Sequence, residues 1–438
     1  MKSNVNGTNY RICLNNVVSS LFTNNSISPE FPETLKSVTA DNLIPCFCRN
    51  RKDLRCLNAF TIDSASSKDL DDAVSILQTS YGYRLGVHIA DVSAYVPFGS
   101  ELDKVACARG TSIYLPNMVV PMLPEVLSND LCSLNANEDK FTISVILKVD
   151  HSGNILEREF TKGIIRSRVK GIYSEINELL SEKQNEILEA KYSKVWKDIL
   201  VMKELAAVLR QNRIDRGARV NTTVLPDITV TDDSISVEPG HTGEAEHIIE
   251  EFMILANSEV AEYVYENELP AVYRIQEEKK TQASYSFLKC HHSELALSKY
   301  VHFTSPIRRV GDLKVHQVLS MFLNGYKPEE IAEKFSESIQ DICDVATHKS
   351  RMAKSIERYC NKFCLGMFFK ANELTRYTGK ITGYDYCDRP IFTIPDYNIK
   401  VLGYSMINCV IGDTFSFRVS VTEKNVLLAK NAMKMATA

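Results

Sequence analysis

Nowhere in its 438 residues does the chain gather the ~18 consecutive apolar positions that a membrane-crossing helix needs, so no membrane partner is expected. An excess of one charge is missing too. With 51 Lys and Arg against 55 Asp and Glu, the formal charge of -4 provides no molecule-wide attraction to nucleic acid, and any such binding must come from a local site. The opening MKSNVNGTNY lacks the apolar core of a secretory leader. A cytoplasmic location, and thiols rather than disulfides for the twelve cysteines, are therefore the expectation. Cys46, Cys48 and Cys56 fit no common zinc spacing and have no histidine near them. Internal repeats and low-complexity tracts are absent.

What is present is an ordinary globular composition, 44% hydrophobic and 24% charged, in a chain long enough for two or three domains. Residues 1–50 are rich in Asn and Ser and interrupted by Pro29, Pro32 and Pro45, which reads as an N-terminal lead-in or cap. From 51 to about 165, short β-branched runs predict strands. Between about 174 and 215, Leu188, Tyr192, Val195, Ile199, Met202, Ala206 and Leu209 recur every three or four residues and predict one long amphipathic helix ending before Gly217. A second helix is expected from near Glu246 towards Pro270, and a third over roughly 340–372. From 373 the short runs return, as in a small antiparallel barrel of OB type. The predicted class is α+β: mixed sheets with long helices over 51–372, then the barrel over 373–438.

The segment FTIDSASSKDLDDAVSI sets Asp63, Asp69, Asp71 and Asp72 between an apolar approach and an apolar exit. Grouped, shielded carboxylates repel one another unless a cation compensates, and magnesium suits such oxygen ligands. An EF-hand loop is excluded by the missing glycine and distal glutamate; a solvated acidic turn is the plainer alternative. Far along the chain, HFTSPIRR places Arg308 and Arg309 beside Pro306 at an expected helix start, where backbone N–H groups and two guanidiniums would bind phosphate. Two surface charges are the plainer reading there. Taken together, the acidic and basic segments suggest metal-assisted phosphoryl chemistry.

TIDSASSKDLDDA, HIADVSAYV, RGTSIYLPNMVVPMLPEVLSNDLCSLN, IIEEFMILAN and HFTSPIRRVGDL follow in the order found in the ribonuclease II and ribonuclease R (RNB) family, which the sequence resembles over about residues 51–370. The resemblance implies an RNB catalytic domain over 51–372, with an RNA-binding barrel after it. It implies a magnesium-dependent exoribonuclease, with Mn2+ as a substitute ion, that degrades single-stranded RNA from the 3′ end to nucleoside 5′-monophosphates without sequence specificity. Asp63, Asp69, Asp71 and Asp72 would form the metal and water site. Asp69, Asp71 and Arg308 would carry catalysis, Arg308 on the phosphate under attack with Arg309 beside it. Tyr114 matches a base-clamping tyrosine; Tyr173 and Glu250 or Glu251 resemble residues that position the terminal ribose. Glu357, in KSIERYC, matches a further acidic position.

His88 and Asp91, in VHIADVSAYV, read as structural, since no nucleophile accompanies the histidine. Departures from the family pattern are Val220 where an aromatic is common, Gln276 where a histidine is usual, and only about 25 residues between Gln276 and the HFTSPIRR motif. The first 50 residues are also too few for two cold-shock barrels. A compact monomer, fed by a helicase or RNA-decay assembly, is the expectation. An inactive RNB-fold RNA-binding scaffold and a phosphatase or phosphodiesterase acting on small nucleotides are the competing readings.

Overall fold

The computed structural model describes residues 9–46, 50–181, 185–220, 225–240, 242–278, 280, 282–404 and 409–435; Cys48 of the disfavoured zinc pattern lies outside them. A five-stranded sheet runs in the order Lys52–Asp53, Ile155–Arg166, Asp139–Asp150, Gly82–Ala90, Asp72–Thr79. Its first pair is parallel and the rest antiparallel. Thr79 pairs with Gly82 across a two-residue turn. Gly82 sits at φ +138, and a Cβ there would meet Val149 O at 2.3 Å, so both the turn and the neighbouring strand demand glycine.

The Gly82–Ala90 strand is buried along almost its whole length. Such burial requires cover on both faces, which accounts for the mainly apolar sequence GYRLGVHIA. The helices Trp196–Asp215 and Glu244–Glu266 pack on this part of the sheet, and Val310–Leu323 on the Ile155–Arg166 strand.

Instead of one helix over 174–215 there are three: Tyr173–Leu180, Glu186–Tyr192 and Trp196–Asp215. Tyr192 explains the break. Its hydroxyl donates to Glu175 at 2.5 Å and accepts the Ile172 N–H at 3.0 Å, pulling the second helix back over the first, while Asn185 caps the new start through Leu188 N–H. The expected helices near 246–270 and 340–372 are observed as Glu244–Glu266 and Ile339–Ala371.

Residues 10–24, expected within a lead-in, form a 15-residue helix whose Leu14, Val18 and Phe22 are buried. The interval of four residues makes one helix face apolar despite the abundant asparagine.

The C-terminal strands close into a barrel, Arg376–Tyr384, Pro390–Ile394, Ile399–Leu402, Leu427–Lys434 and Thr414–Val421 in spatial order, an OB-type arrangement. Phe392, Phe415 and Phe417 fill it, and Phe369 from the end of the long helix joins the same core, fastening the barrel to the helix. No helix among the described residues is long and apolar enough to cross a membrane.

Candidate active site

The acidic segment is shaped by a buried leucine. Leu70 is 2% exposed and its N–H donates to Ser133 Oγ at 3.1 Å, so Asp69 and Asp71 flank a side chain plugged into the core. Asp63 ends the strand Thr61–Asp63, which pairs in parallel with Lys170–Ile172, and Asp72 begins the next strand. Lys170 Nζ donates to Ala65 O at 3.1 Å and Ser67 O at 2.6 Å, holding the loop between Asp63 and Asp69.

Asp71 is 3% exposed. Its Oδ1 accepts the Ile307 N–H at 2.9 Å, while its Oδ2 stands 3.5 Å from Arg308 Nε without a hydrogen-bond partner. Asp63 Oδ2 is buried and unpartnered as well. Burial, with Asp72 and Asp69 adding repulsion against the opposing pull of Lys170 and Arg308, pushes Asp63 up to about 8. Burial raises Asp71 well above the carboxylate range despite Arg308, and raises Asp72 to about 6. Asp63 in particular lacks enough positive charge nearby to stay ionised at neutral pH on its own.

That deficit fits a divalent cation, because two orphaned carboxylate oxygens are hard donors of the kind magnesium prefers. Among the described residues no three acid, imidazole or thiolate side chains form a ready cage. Magnesium commonly takes only one or two protein carboxylates and fills its shell with water and substrate phosphate. The free donors are Asp63 Oδ2 and Asp71 Oδ2, and Asp72 is the carboxylate that acts most strongly on Asp63.

The helix at the basic motif begins at Val310, later than Pro306. Arg309, in the cap position, forks onto Asp312 at 2.8 and 2.7 Å, so only one of the two expected guanidiniums is presented to the site. Arg308 is that one: its side chain is 41% exposed and Nη2 donates to Ser305 Oγ at 2.9 Å. Its carbonyl accepts from Ser112 N–H at 3.0 Å and Thr111 Oγ1 at 2.9 Å, tying it to the segment that leads into Tyr114.

Tyr114 joins the cluster directly. Its hydroxyl donates to Asp69 Oδ2 at 2.6 Å, and its N–H donates to Glu357 Oε1 at 2.9 Å. Burial pushes the Glu357 carboxyl up. Tyr173 follows Ile172, the partner of Asp63 in the strand pair; burial and then the charges of Asp72 and Asp63 keep its phenol protonated. Glu251 is 3% exposed and forks onto Arg213 at 3.1 and 2.5 Å, whereas Glu250 is half-exposed, 3.8 Å from Arg213 Nη2 and 3.6 Å from His247 Nδ1. No hydrogen bond or ion pair among the described residues links either glutamate to the aspartates.

His88 lies buried between Ser75 Oγ and Ser144 Oγ, each at 2.9 Å, and burial lowers it to about 4. Asp91 meets Arg51 at 2.6 Å and Ser93 Oγ at 2.5 Å; burial opposes its ionisation, but Arg51 and Lys162 outweigh that and its pKa falls. Both are structural. Gln276 is buried with Oε1 unpartnered, and Val220 is half-buried. Sequence reasoning missed Lys170, Thr111 and Ser112, whose partners are backbone carbonyls that leave no side-chain signature.

The chain matches the RNB domain family over residues 51–284 and 280–325. Ribonuclease R of Thermotoga maritima is 35% identical over 393 aligned residues, covering 75% of this chain and 54% of that protein. The solved structure of Mycoplasma genitalium RNase R in complex with ribose methylated single-stranded RNA has a TM-score of 0.79 at 23% identity, covering 94% of this chain and 77% of that one. Yeast Ssd1, a pseudonuclease, shares the fold with a TM-score of 0.68 at 16% identity, covering 93% of this chain and 57% of that one. The chain spans about half the length of the curated relatives it matches. By its motifs, its fold and these likenesses, it belongs to the RNB domain family.

Proposed function

We propose that the chain is a hydrolytic exoribonuclease that shortens single-stranded RNA from the 3′ end, independently of sequence, and releases nucleoside 5′-monophosphates with Mg2+ as its ion. The observation that carries this reading is the unpartnered Asp71 Oδ2 held 3.5 Å from Arg308 Nε. A carboxylate and a guanidinium so close would ordinarily close into a hydrogen-bonded pair. Here the contact is an ion pair without a hydrogen bond, so Oδ2 keeps its lone pairs for a cation. The ribonuclease R relatives and the RNA-bound neighbour add support from likeness.

In this reading Asp63, Asp69, Asp71 and Asp72 hold the ion and its attacking water. Magnesium bound there would lower the pKa of water and neutralise phosphate charge. Arg308, anchored by Ser305 Oγ and through its own carbonyl, meets charge growing on the non-bridging oxygens. Tyr114 offers an aromatic face to any base, and a half-exposed Glu250 with Tyr173 would accept a ribose hydroxyl, favouring RNA over DNA without reading sequence.

Labelled single-stranded RNA, matched DNA and a free nucleoside monophosphate, each with Mg2+ and with chelator, separate this from the alternatives. RNA alone is consumed, and only with the ion. An intact RNA would indicate the scaffold reading, and equal turnover of the mononucleotide the phosphatase reading.

A further inference from the structure

The N-terminal helix packs on the long helix that carries Glu357, as does the strand that carries Tyr114. Its Leu14, Val18 and Phe22, 0%, 3% and 5% exposed, share one apolar cluster with Ile113 and Leu115. Ala353 and Ile356 of the long helix enter the same cluster, and Ile356 immediately precedes Glu357. Successive strand residues point to opposite faces, so burying Ile113 and Leu115 in this shared cluster turns Tyr114 the other way, onto Asp69. Two residues of the site are thus each set by a neighbour that the N-terminal helix covers.

The chain after this helix is fastened to the same region. Arg109 donates through Nη1 to Ser28 O at 3.0 Å and through Nη2 to Pro29 O at 3.2 Å, with its guanidinium 4.2 Å from the centre of the Phe31 ring. Asn117 Nδ2 donates to Asn15 Oδ1 at 2.6 Å on the far side of Tyr114. Between these two ties lie Thr111 and Ser112, whose donors hold the Arg308 carbonyl.

We propose that residues 10–31 are a positioning element of the active site, holding Tyr114 against Asp69 and Glu357. This rests on the reading of Tyr114 as the residue on which a base stacks, and the experiment keeps the two separable. A cover that only shielded an apolar patch would leave the order of Tyr114 unaffected when trimmed.

The test uses the full chain carrying Val18→Ala with Phe22→Ala, and Val18→Ala alone as a milder change that preserves the fold. Hydrogen exchange is followed in segments 111–117 and 353–360 and, as a control, in the 82–90 strand. Because Glu357 holds the Tyr114 N–H, loosening should speed exchange in 111–117 by about tenfold or more while 82–90 is unchanged. KM for RNA rises, and the penalty of Tyr114→Ala shrinks in the trimmed background, as coupled residues require. Unchanged exchange in 111–117, or a Tyr114→Ala penalty of full size in both backgrounds, overturns the proposal. Faster exchange with a silent Tyr114→Ala in the unaltered chain would uphold the positioning and remove the base-stacking reading.

Discussion

Ile307 N–H donates to Asp71 Oδ1 across 236 positions of sequence, so the aspartate that faces Arg308 also fixes the peptide immediately before it. One carboxylate therefore does two jobs with two oxygens. Oδ1 sets the position of the arginine, and Oδ2 faces its guanidinium without a hydrogen bond.

Replacing Asp71 by Asn keeps an acceptor for Ile307 and removes a charge from the path of the phosphate. Hydrolysis falls by about a hundredfold or more, while RNA affinity is held or improved. Single-turnover rates beside equilibrium binding of a labelled strand check this, and a full rate would refute it.

The two arginines differ in kind. Arg309→Ala leaves the buried Asp312 without its countercharge, held only by the Ser305 N–H, and lowers stability by about 3 kcal/mol, read as a fall in Tm. Arg308→Lys, on a partly exposed side chain, leaves Tm nearly unchanged but lowers kcat by about a hundredfold, since an ammonium cannot reproduce the planar fork.

Stability without added ion depends on pH through the raised carboxyl groups. Asp63, near 8, and Asp72, near 6, are held above their ordinary 3.8, so the folded state binds protons that the unfolded chain has released. Their contribution is complete below about pH 4 and is lost as pH rises through 6 and then 8. Magnesium should therefore raise Tm more at pH 8.5 than at pH 5.5. Melting curves with ion and with chelator at both values test it; a shift independent of pH would count against an ion bound to these carboxylates.

Tyr114→Ala removes a stacking face and raises KM for RNA by about fivefold to a hundredfold. Tyr114→Phe keeps the face and loses only the hydroxyl contact with Asp69, so its KM stays close to the parent value. Steady-state kinetics on one oligonucleotide compare the three proteins; equal KM values for the Ala and Phe variants would refute stacking.

The acidic cluster was legible because its charges stand inside apolar flanks, a pattern that costs stability unless it is used, whereas Arg308 was singled out by the resemblance of HFTSPIRR to the family motif. The sheet strands, two of the three long helices and the barrel were legible from periodicity. Other features depend on partners distant in sequence. Tyr192 breaks a helix by reaching Glu175, and Arg213 claims Glu251 while leaving Glu250 half-exposed. Arg309 turning onto Asp312 needs only a three-residue step, yet the arginine pair alone did not reveal which member would do so. The N-terminal helix was readable in Leu14, Val18 and Phe22, but its asparagine and serine content masked the stripe.

The most direct test is the fate of a single-stranded RNA whose 3′ end is either free or blocked, digested with Mg2+ by the parent protein and by Asp71→Asn. Nucleoside 5′-monophosphates are expected from the free 3′ end only, and none from the variant. Internal cuts, release from the 5′ end, or undiminished digestion by Asp71→Asn would contradict it.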